Sequence, residues 1–85
     1  MSESIISVGI LYRDLIVSLP PPARHHSVLH PLVAIVDEVI GPREQGFVTS
    51  TGRWVDRIEA AAIAIAAGQI EALKWPPYLY SEDLW

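Results

Sequence analysis

The side chains best suited to hold a small anionic ligand are concentrated between residues 45 and 57. The rings of Phe47 and Trp54 can stack on a nucleobase. The guanidinium groups of Arg53 and Arg57 are planar and suit paired contacts with phosphate oxygens. This combination is typical of a site for a nucleotide-like molecule.

Hydroxyl groups and glycines lie between these rings and cations. Thr49, Ser50 and Thr51 offer consecutive hydroxyls, and Gly46 and Gly52 allow the backbone to approach a ligand closely. The same residues have ordinary structural uses, since glycines serve turns and aromatic rings fill cores. The segment therefore predicts either a binding loop or a tight hairpin.

Catalytic and metal-binding patterns are weak in this chain. His25, His26 and His30 place imidazoles four residues apart, with Asp37 and Glu38 further along, but no third ligand falls clearly on the same face. The sequence contains no Gly-x-Ser-x-Gly elbow, no Walker motif and no Gly-x-Gly-x-x-Gly loop. We therefore expect a binding protein without a metal or cofactor, and not an enzyme.

Two β-prone runs open the chain and a helical pattern follows. Residues 5–11 and 15–19 predict a hairpin, which the three prolines at 20–22 must end. Apolar residues then recur at helical spacing from about His26 to Ile40, with Gly41 as the closing residue. Pro31 is unfavourable inside a helix, so we expect a start near His30 or a kink.

A second hairpin and a second helix are predicted downstream. Thr51-Gly52 joins two short β-prone pieces, and Asp56 stands three residues before Glu59, the spacing of a helix cap. An alanine-rich helix should run from Arg57 to Gly68, and its apolar surface predicts burial in the core or in a subunit interface.

The C-terminal segment combines prolines with large apolar side chains. Exposed together, these would form a sizeable apolar patch, so we expect the segment to pack on its own subunit or on a partner. The large apolar side chains of this segment are Trp75, Tyr78, Tyr80, Leu84 and Trp85.

Length and charge set the class of protein. The chain has 85 residues, a formal net charge of -4 and no cysteine. An acidic chain is a poor binder of DNA or RNA polymers, and no stretch is long and apolar enough to cross a membrane. The absence of cysteine and the acidic N-terminus favour an intracellular protein without a secretory signal. We expect one α+β domain, consisting of an N-terminal hairpin, a central helix, a second short hairpin and the alanine-rich helix, stabilised by homo-oligomerisation.

Three blocks of sequence resemble a known family. They are Arg24-His25-His26, the long run from Glu44 to Ala60 continuing to Ala67-Gly68-Gln69-Ile70, and the ending Leu79-Tyr80-Ser81-Glu82-Asp83-Leu84-Trp85. The chain resembles the first described Thoeris anti-defence family of phages. Those proteins are sponges that bind the cyclic ADP-ribose signal of TIR-domain defence proteins without cleaving it, and some relatives also hold cyclic oligonucleotides. This chain differs in its shorter length, its proline-rich connector and Trp54, where phenylalanine is more usual.

The resemblance implies a function and an assembly, and the chemistry of the side chains suggests a set of ligand-binding residues. The function would be sequestration of a cyclic ADP-ribose isomer or another cyclic nucleotide in the host bacterial cytoplasm. The assembly would be a homodimer, which can form a hexamer as a trimer of dimers. Aromatic stacking, phosphate contacts and ribose hydrogen bonds would come from Arg24, His25, Gln45, Gly46, Phe47, Thr49, Arg53, Trp54, Arg57 and Asp83.

Two other functions stay open at this point. A small phage protein could bind another protein through its aromatic ending and alanine-rich helix, with no small ligand. A hydrolase of cyclic nucleotides would need a metal or a general base, and neither can be assigned in the sequence.

Overall fold

A computed structural model describes residues 3–21, 23–36 and 40–85. It confirms a small α+β fold, in which a four-stranded antiparallel sheet of order β2-β1-β3-β4 packs with helices. The elements are β1 (Ile5–Tyr12), β2 (Leu15–Leu19), α1 (His25–Val36), a 3-10 turn (Pro42–Glu44), β3 (Gln45–Thr49), β4 (Trp54–Val55), α2 (Arg57–Ala66) and α3 (Ser81–Leu84).

The predicted N-terminal hairpin is confirmed. Its turn is only two residues long, and both Arg13 (φ 46°) and Asp14 (φ 66°) adopt the left-handed backbone conformation that such turns require. The ladder is continuous from the pair Tyr12 and Leu15 to the pair Val8 and Leu19.

The first helix differs from the prediction at its C-terminal end. Helix α1 starts at His25, one residue before His26, and includes Pro31 in its interior, so the alternative start near His30 is wrong. Helix α1 is described up to Val36, and residues 37–39 lie outside the described residues. The predicted end at Ile40 is wrong because Ile40 itself is not helical. Gly41 does not have the positive φ with which a glycine closes a helix.

The second hairpin and the start of the second helix agree with the prediction, whereas α2 ends at Ala66, two residues before the expected Gly68. Gly52 has a φ of 88° in the turn between β3 and β4. The Asp56 carboxylate accepts hydrogen bonds from the backbone amides of Ile58 and Glu59 and thereby caps α2. Gly68, with a φ of 74°, follows the end of the helix.

The core joins the sheet to one face of each long helix. Alanines 60, 61 and 64 of α2 are buried, whereas Ile58 is 51% and Ile65 is 45% exposed, so this chain alone does not bury α2 on all sides. The buried apolar side chains are Ile5, Val8, Ile10, Val28, Leu32, Ile40, Phe47, Val55, Ala60, Ala61, Ala64 and Leu79.

The C-terminal segment packs on its own subunit, one of the two arrangements expected. The Leu79 side chain is fully buried, and its backbone amide donates to the Arg57 carbonyl oxygen over 3.0 Å. The indole N–H of Trp85 donates to the Ala23 carbonyl oxygen over 2.9 Å. Within the described ranges, no helix has the length and apolar character needed to span a bilayer.

Candidate functional site

A half-open groove of about 980 Å³ lies where the start of β3, the start of α2 and the C-terminal segment meet. This volume is at the upper end of the range of about 300–1,000 Å³ for small-molecule sites. Aromatic rings and two guanidinium groups share the lining with two carboxylates. The lining residues are Leu11, Arg43, Glu44, Gln45, Trp54, Asp56, Arg57, Ile58, Tyr78 and Tyr80.

Trp54 is held in place by its contact with two glycines. Its indole N–H donates to the Gly9 carbonyl oxygen over 3.1 Å. A β-carbon added to Gly46 would come within 2.6 Å of the Trp54 ring, and one added to Gly9 within 3.2 Å. The absence of side chains at these glycines therefore allows the indole to pack closely against the backbone of β1 and β3.

Arg57 joins three parts of the groove. One terminal nitrogen donates to the Leu79 carbonyl oxygen over 3.0 Å, and the other donates to Gln45 Oε1 over 3.3 Å. The guanidinium carbon lies 4.5 Å from the centroid of the Tyr80 ring. Burial lowers the pKa of Arg57 from its usual value, but arginine stays charged at neutral pH. Three of its five N–H groups are not used in these hydrogen bonds.

Arg43 and Tyr78 line the groove from more exposed positions. Arg43 lies in the short 3-10 turn before β3 and is exposed. Tyr78 is 44% exposed and follows a turn in which its backbone amide donates to the Trp75 carbonyl oxygen over 3.0 Å. Both side chains are therefore accessible to a ligand that enters the groove.

Three of the predicted site residues line this groove, namely Gln45, Trp54 and Arg57. The structure does not bring the other predicted residues into its lining. These residues are Arg24, His25, Gly46, Phe47, Thr49, Arg53 and Asp83, and several of them have structural contacts of their own.

His25 and Phe47 belong to the core of the subunit. The His25 ring packs edge-on against Phe47 at 4.9 Å, and its Nε2 donates to the Gly46 carbonyl oxygen over 2.7 Å. Burial and the nearby Arg57 charge lower the pKa of His25 to about 4. The imidazole is therefore neutral at pH 7 and joins α1 to β3.

Thr49 and Arg53 belong to a polar cluster centred on Glu3. The Glu3 carboxylate accepts hydrogen bonds from both of these side chains and from Thr51. Arg53 also pairs with Glu59 over 2.7 Å. The Arg53 guanidinium and the two threonine hydroxyls lower the pKa of Glu3 to about 2. The cluster joins the N-terminal segment to the second hairpin.

Asp83 and Arg24 also lie away from the groove lining. Asp83 Oδ2 accepts a hydrogen bond from the Tyr80 backbone amide over 2.9 Å at the start of α3. Arg24 has a terminal nitrogen, Nη1, that is buried without a hydrogen-bond partner among the described residues. Its backbone amide donates to the Ser27 hydroxyl at the start of α1.

Sequence reasoning did not assign Tyr78, Tyr80, Arg43 or Glu44 to the site. The two tyrosines belong to the C-terminal segment, which was expected to pack on a subunit but not to line a groove. Arg43 was noticeable as one of only five arginines. Their proximity arises from the tertiary fold, which a local pattern does not reveal. In the described part of the chain, no group of three histidine, cysteine or acidic side chains is arranged to hold a metal ion.

Comparison with protein families gives a match that covers nearly the whole chain. The family model of the phage T4 y16D protein matches residues 4–85, nearly the whole chain. The chain belongs to the phage T4 y16D protein family. Membership of this family supports a phage origin for this small protein. No curated protein sequence and no solved structure matches the chain.

Proposed function

We propose that this phage protein sequesters a cyclic ADP-ribose signal without cleaving it and so blocks Thoeris-type defence of the bacterial host. The observation that supports this proposal is the groove in which Trp54, Tyr78 and Tyr80 lie near the guanidinium groups of Arg43 and Arg57. Rings can stack on adenine, and guanidinium groups suit the two phosphates of the ligand.

The carboxylates in the groove suit the sugar part of such a ligand. Glu44 is exposed, and Asp56 Oδ1 accepts both of the amides that it caps. Because an ionised carboxylate can only accept hydrogen bonds, the Glu44 carboxylate and the second Asp56 oxygen match ribose hydroxyl donors. A ligand with hydroxyls and only two phosphates therefore fits this mixed lining better than a polyanion does.

Sequestration demands tight binding. Competition with a receptor at low signal concentration requires a dissociation constant of roughly 1 nM, or about -12 kcal/mol. A half-open groove on a 9.4 kDa subunit encloses a ligand incompletely. The proposal therefore includes a second subunit that contributes to the closed site, in the homodimer or hexamer that the resemblance implies.

The proposal is tested by calorimetric titration of the protein with cyclic ADP-ribose isomers. Arg43→Glu and Tyr78→Ala alter exposed groove residues, and Lys74→Glu is a charge-matched control outside the lining. Loss of a charged hydrogen bond, at about 1.5–3 kcal/mol, should weaken binding by Arg43→Glu at least about tenfold. Equal affinities for both groove variants and the control would remove the groove as the site.

Exposed aromatic residues favour the second candidate, a protein-binding module. Trp75 is 57% and Tyr78 is 44% exposed beside the groove. A phage protein that binds another protein through this patch would take up none of the nucleotides in the titration.

A further inference from the structure

We propose that the outer edge of β2 is an interface at which two copies of this chain pair about a two-fold axis, joining their sheets into one of eight strands. This inference is independent of the ligand. It rests on the exposure, the composition and the hydrogen-bonding register of β2.

Among the described residues, no strand pairs with the outer edge of β2. In the described part of the chain, β2 pairs with β1 alone and ends the sheet. Edge strands of monomeric proteins usually carry a charge, a proline or a bulge that prevents further pairing. The five residues Leu-Ile-Val-Ser-Leu of β2 contain no charge and no proline, and their ladder with β1 has no register shift.

The apolar side chains on the core face of the sheet continue to this edge, where some of them are exposed. Val17 lies opposite Ile10 and packs against the core. Leu15 and Leu19 point to the same face as Val17, because side chains alternate along a strand. Leu15 is nevertheless 64% exposed and Leu19 is 40% exposed. A neighbouring strand with apolar side chains on this face would bury both.

The turn geometry determines which backbone groups are available. A two-residue hairpin turn makes its flanking residues, Tyr12 and Leu15, a hydrogen-bonded pair. Hydrogen bonding to β1 then alternates along the strand, through Val17 and Leu19. The N–H and C=O groups of Ile16 and Ser18 therefore point away from β1, toward the free edge.

These groups are self-complementary in an antiparallel pair centred on Val17. Ile16 of one copy then lies opposite Ser18 of the other, and each such pair exchanges two backbone hydrogen bonds. Leu15 lies opposite Leu19, so the apolar strip continues across the axis. The charged turn residues Arg13 and Asp14 reach the uncharged Pro21 and Pro20 of the second copy, which avoids repulsion between like charges.

A second copy is the occupant that these features favour. A chain of 85 residues has little surface to bury by itself, and self-association is a common source of added stability at this size. A two-fold contact requires that one patch complement itself, and β2 does so in both hydrogen bonding and side-chain pattern.

The first test is the solution mass measured by light scattering. The wild-type protein should have an even multiple of the 9.4 kDa chain mass. Ser18→Pro removes an outward N–H, which an edge strand tolerates, and should halve the mass with an unchanged circular dichroism spectrum. The double variant Leu15→Lys/Leu19→Lys should also halve it. Ile6→Lys, a 47% exposed apolar position on β1, is the matched control and should leave the mass unchanged. A monomeric wild-type protein, or folded edge variants with wild-type mass, would overturn the proposal.

The second test is disulfide cross-linking. Because the chain has no cysteine, an introduced cysteine is the only thiol that can react. In the proposed register the two Val17 Cα atoms face each other at about 4.5 Å, which a disulfide can bridge. Val17→Cys should therefore form a covalent dimer under mild oxidation. Ile16→Cys should not, because the two Ile16 Cα atoms would be about 8 Å apart. Ile16 is the more exposed of the two positions, so random collisions would favour Ile16→Cys, and that result would overturn the register.

Discussion

At the residue scale, several polar side chains between the elements act as structural connections. His25 joins α1 to the Gly46 carbonyl oxygen, and Glu3 joins the N-terminal segment to Thr49 and Arg53. Both titrate far from their ordinary pKa values, so each connection has a pH dependence that can be measured.

His25 should make the protein less stable as the pH falls from 6.5 to 4. The unfolded chain takes up a proton on this residue near pH 6.5, whereas the folded protein resists protonation until about pH 4. Protonation therefore favours unfolding in this window, by at most about 3 kcal/mol. His25→Gln keeps a side-chain N–H donor but does not titrate. Denaturant unfolding should show a flatter pH profile for this variant, and an unchanged profile would contradict the assignment.

Glu3 should contribute stability that is lost only in acid. Its pKa falls from 4.5 to about 2 in the folded protein, so the stabilisation is complete above pH 4.5 and disappears toward pH 2. Glu3→Gln should lower the melting temperature at pH 7 but match the wild-type protein near pH 2. Glu71→Gln, at an exposed carboxylate, should change little at pH 7. A Glu3→Gln deficit of equal size at both pH values would exclude an ionic contribution.

At the element scale, the second hairpin positions the groove by close packing of backbone and indole. A β-carbon on Gly46 would approach the Val55 carbonyl oxygen to 2.1 Å. Gly46→Ala should therefore cost about 1–3 kcal/mol through overpacking. In Gly41→Ala the nearest atom is the mobile Glu44 carboxylate at 3.1 Å, so this control should be tolerated. Denaturant unfolding measures both free energies, and equal values would mean that Gly46 is not closely packed against β4.

Local signals in the sequence were sufficient for much of the fold. The turn at Thr51-Gly52 and the Asp56 cap depend on neighbouring residues, and the structure has both. The end of α1 was wrong because the apolar pattern continued to Ile40 although the helix does not. Hydrophobic periodicity reports burial, and Ile40 is buried outside any helix.

The groove was only partly predictable for a related reason. Three groove residues, Gln45, Trp54 and Arg57, lie close together in the sequence, and the sequence alone predicted them as site residues. Leu11, Arg43 and Tyr78 come from distant parts of the chain, and the tertiary fold brings them beside that segment. Phe47 shares the aromatic character of Trp54, yet one ring is fully buried and the other lines the groove. Residue type alone does not show which of the two rings is buried and which lines the groove.

At the scale of the whole molecule, a net charge of -4 makes local placement of the cations important. Arg43 and Arg57 line the groove, whereas Arg53 is paired with Glu3 and Glu59. Added salt should therefore weaken ligand binding only to the extent expected for a few ionic contacts, because the protein as a whole repels anions. Titrations at several salt concentrations measure this dependence. A steep loss of affinity would indicate a broad basic surface, which this chain does not have.

Release of retained ligand shows directly whether the protein sequesters a nucleotide. The purified protein is mixed with cyclic ADP-ribose isomers and cyclic dinucleotides, freed of unbound ligand, denatured by heat and analysed by mass spectrometry. A sequestering protein should release intact cyclic ADP-ribose in a near-stoichiometric amount. Release of a cyclic dinucleotide alone would keep sequestration but change the ligand. A cleaved product would identify an enzyme, and a complete absence of nucleotide would contradict sequestration and favour a protein-binding role.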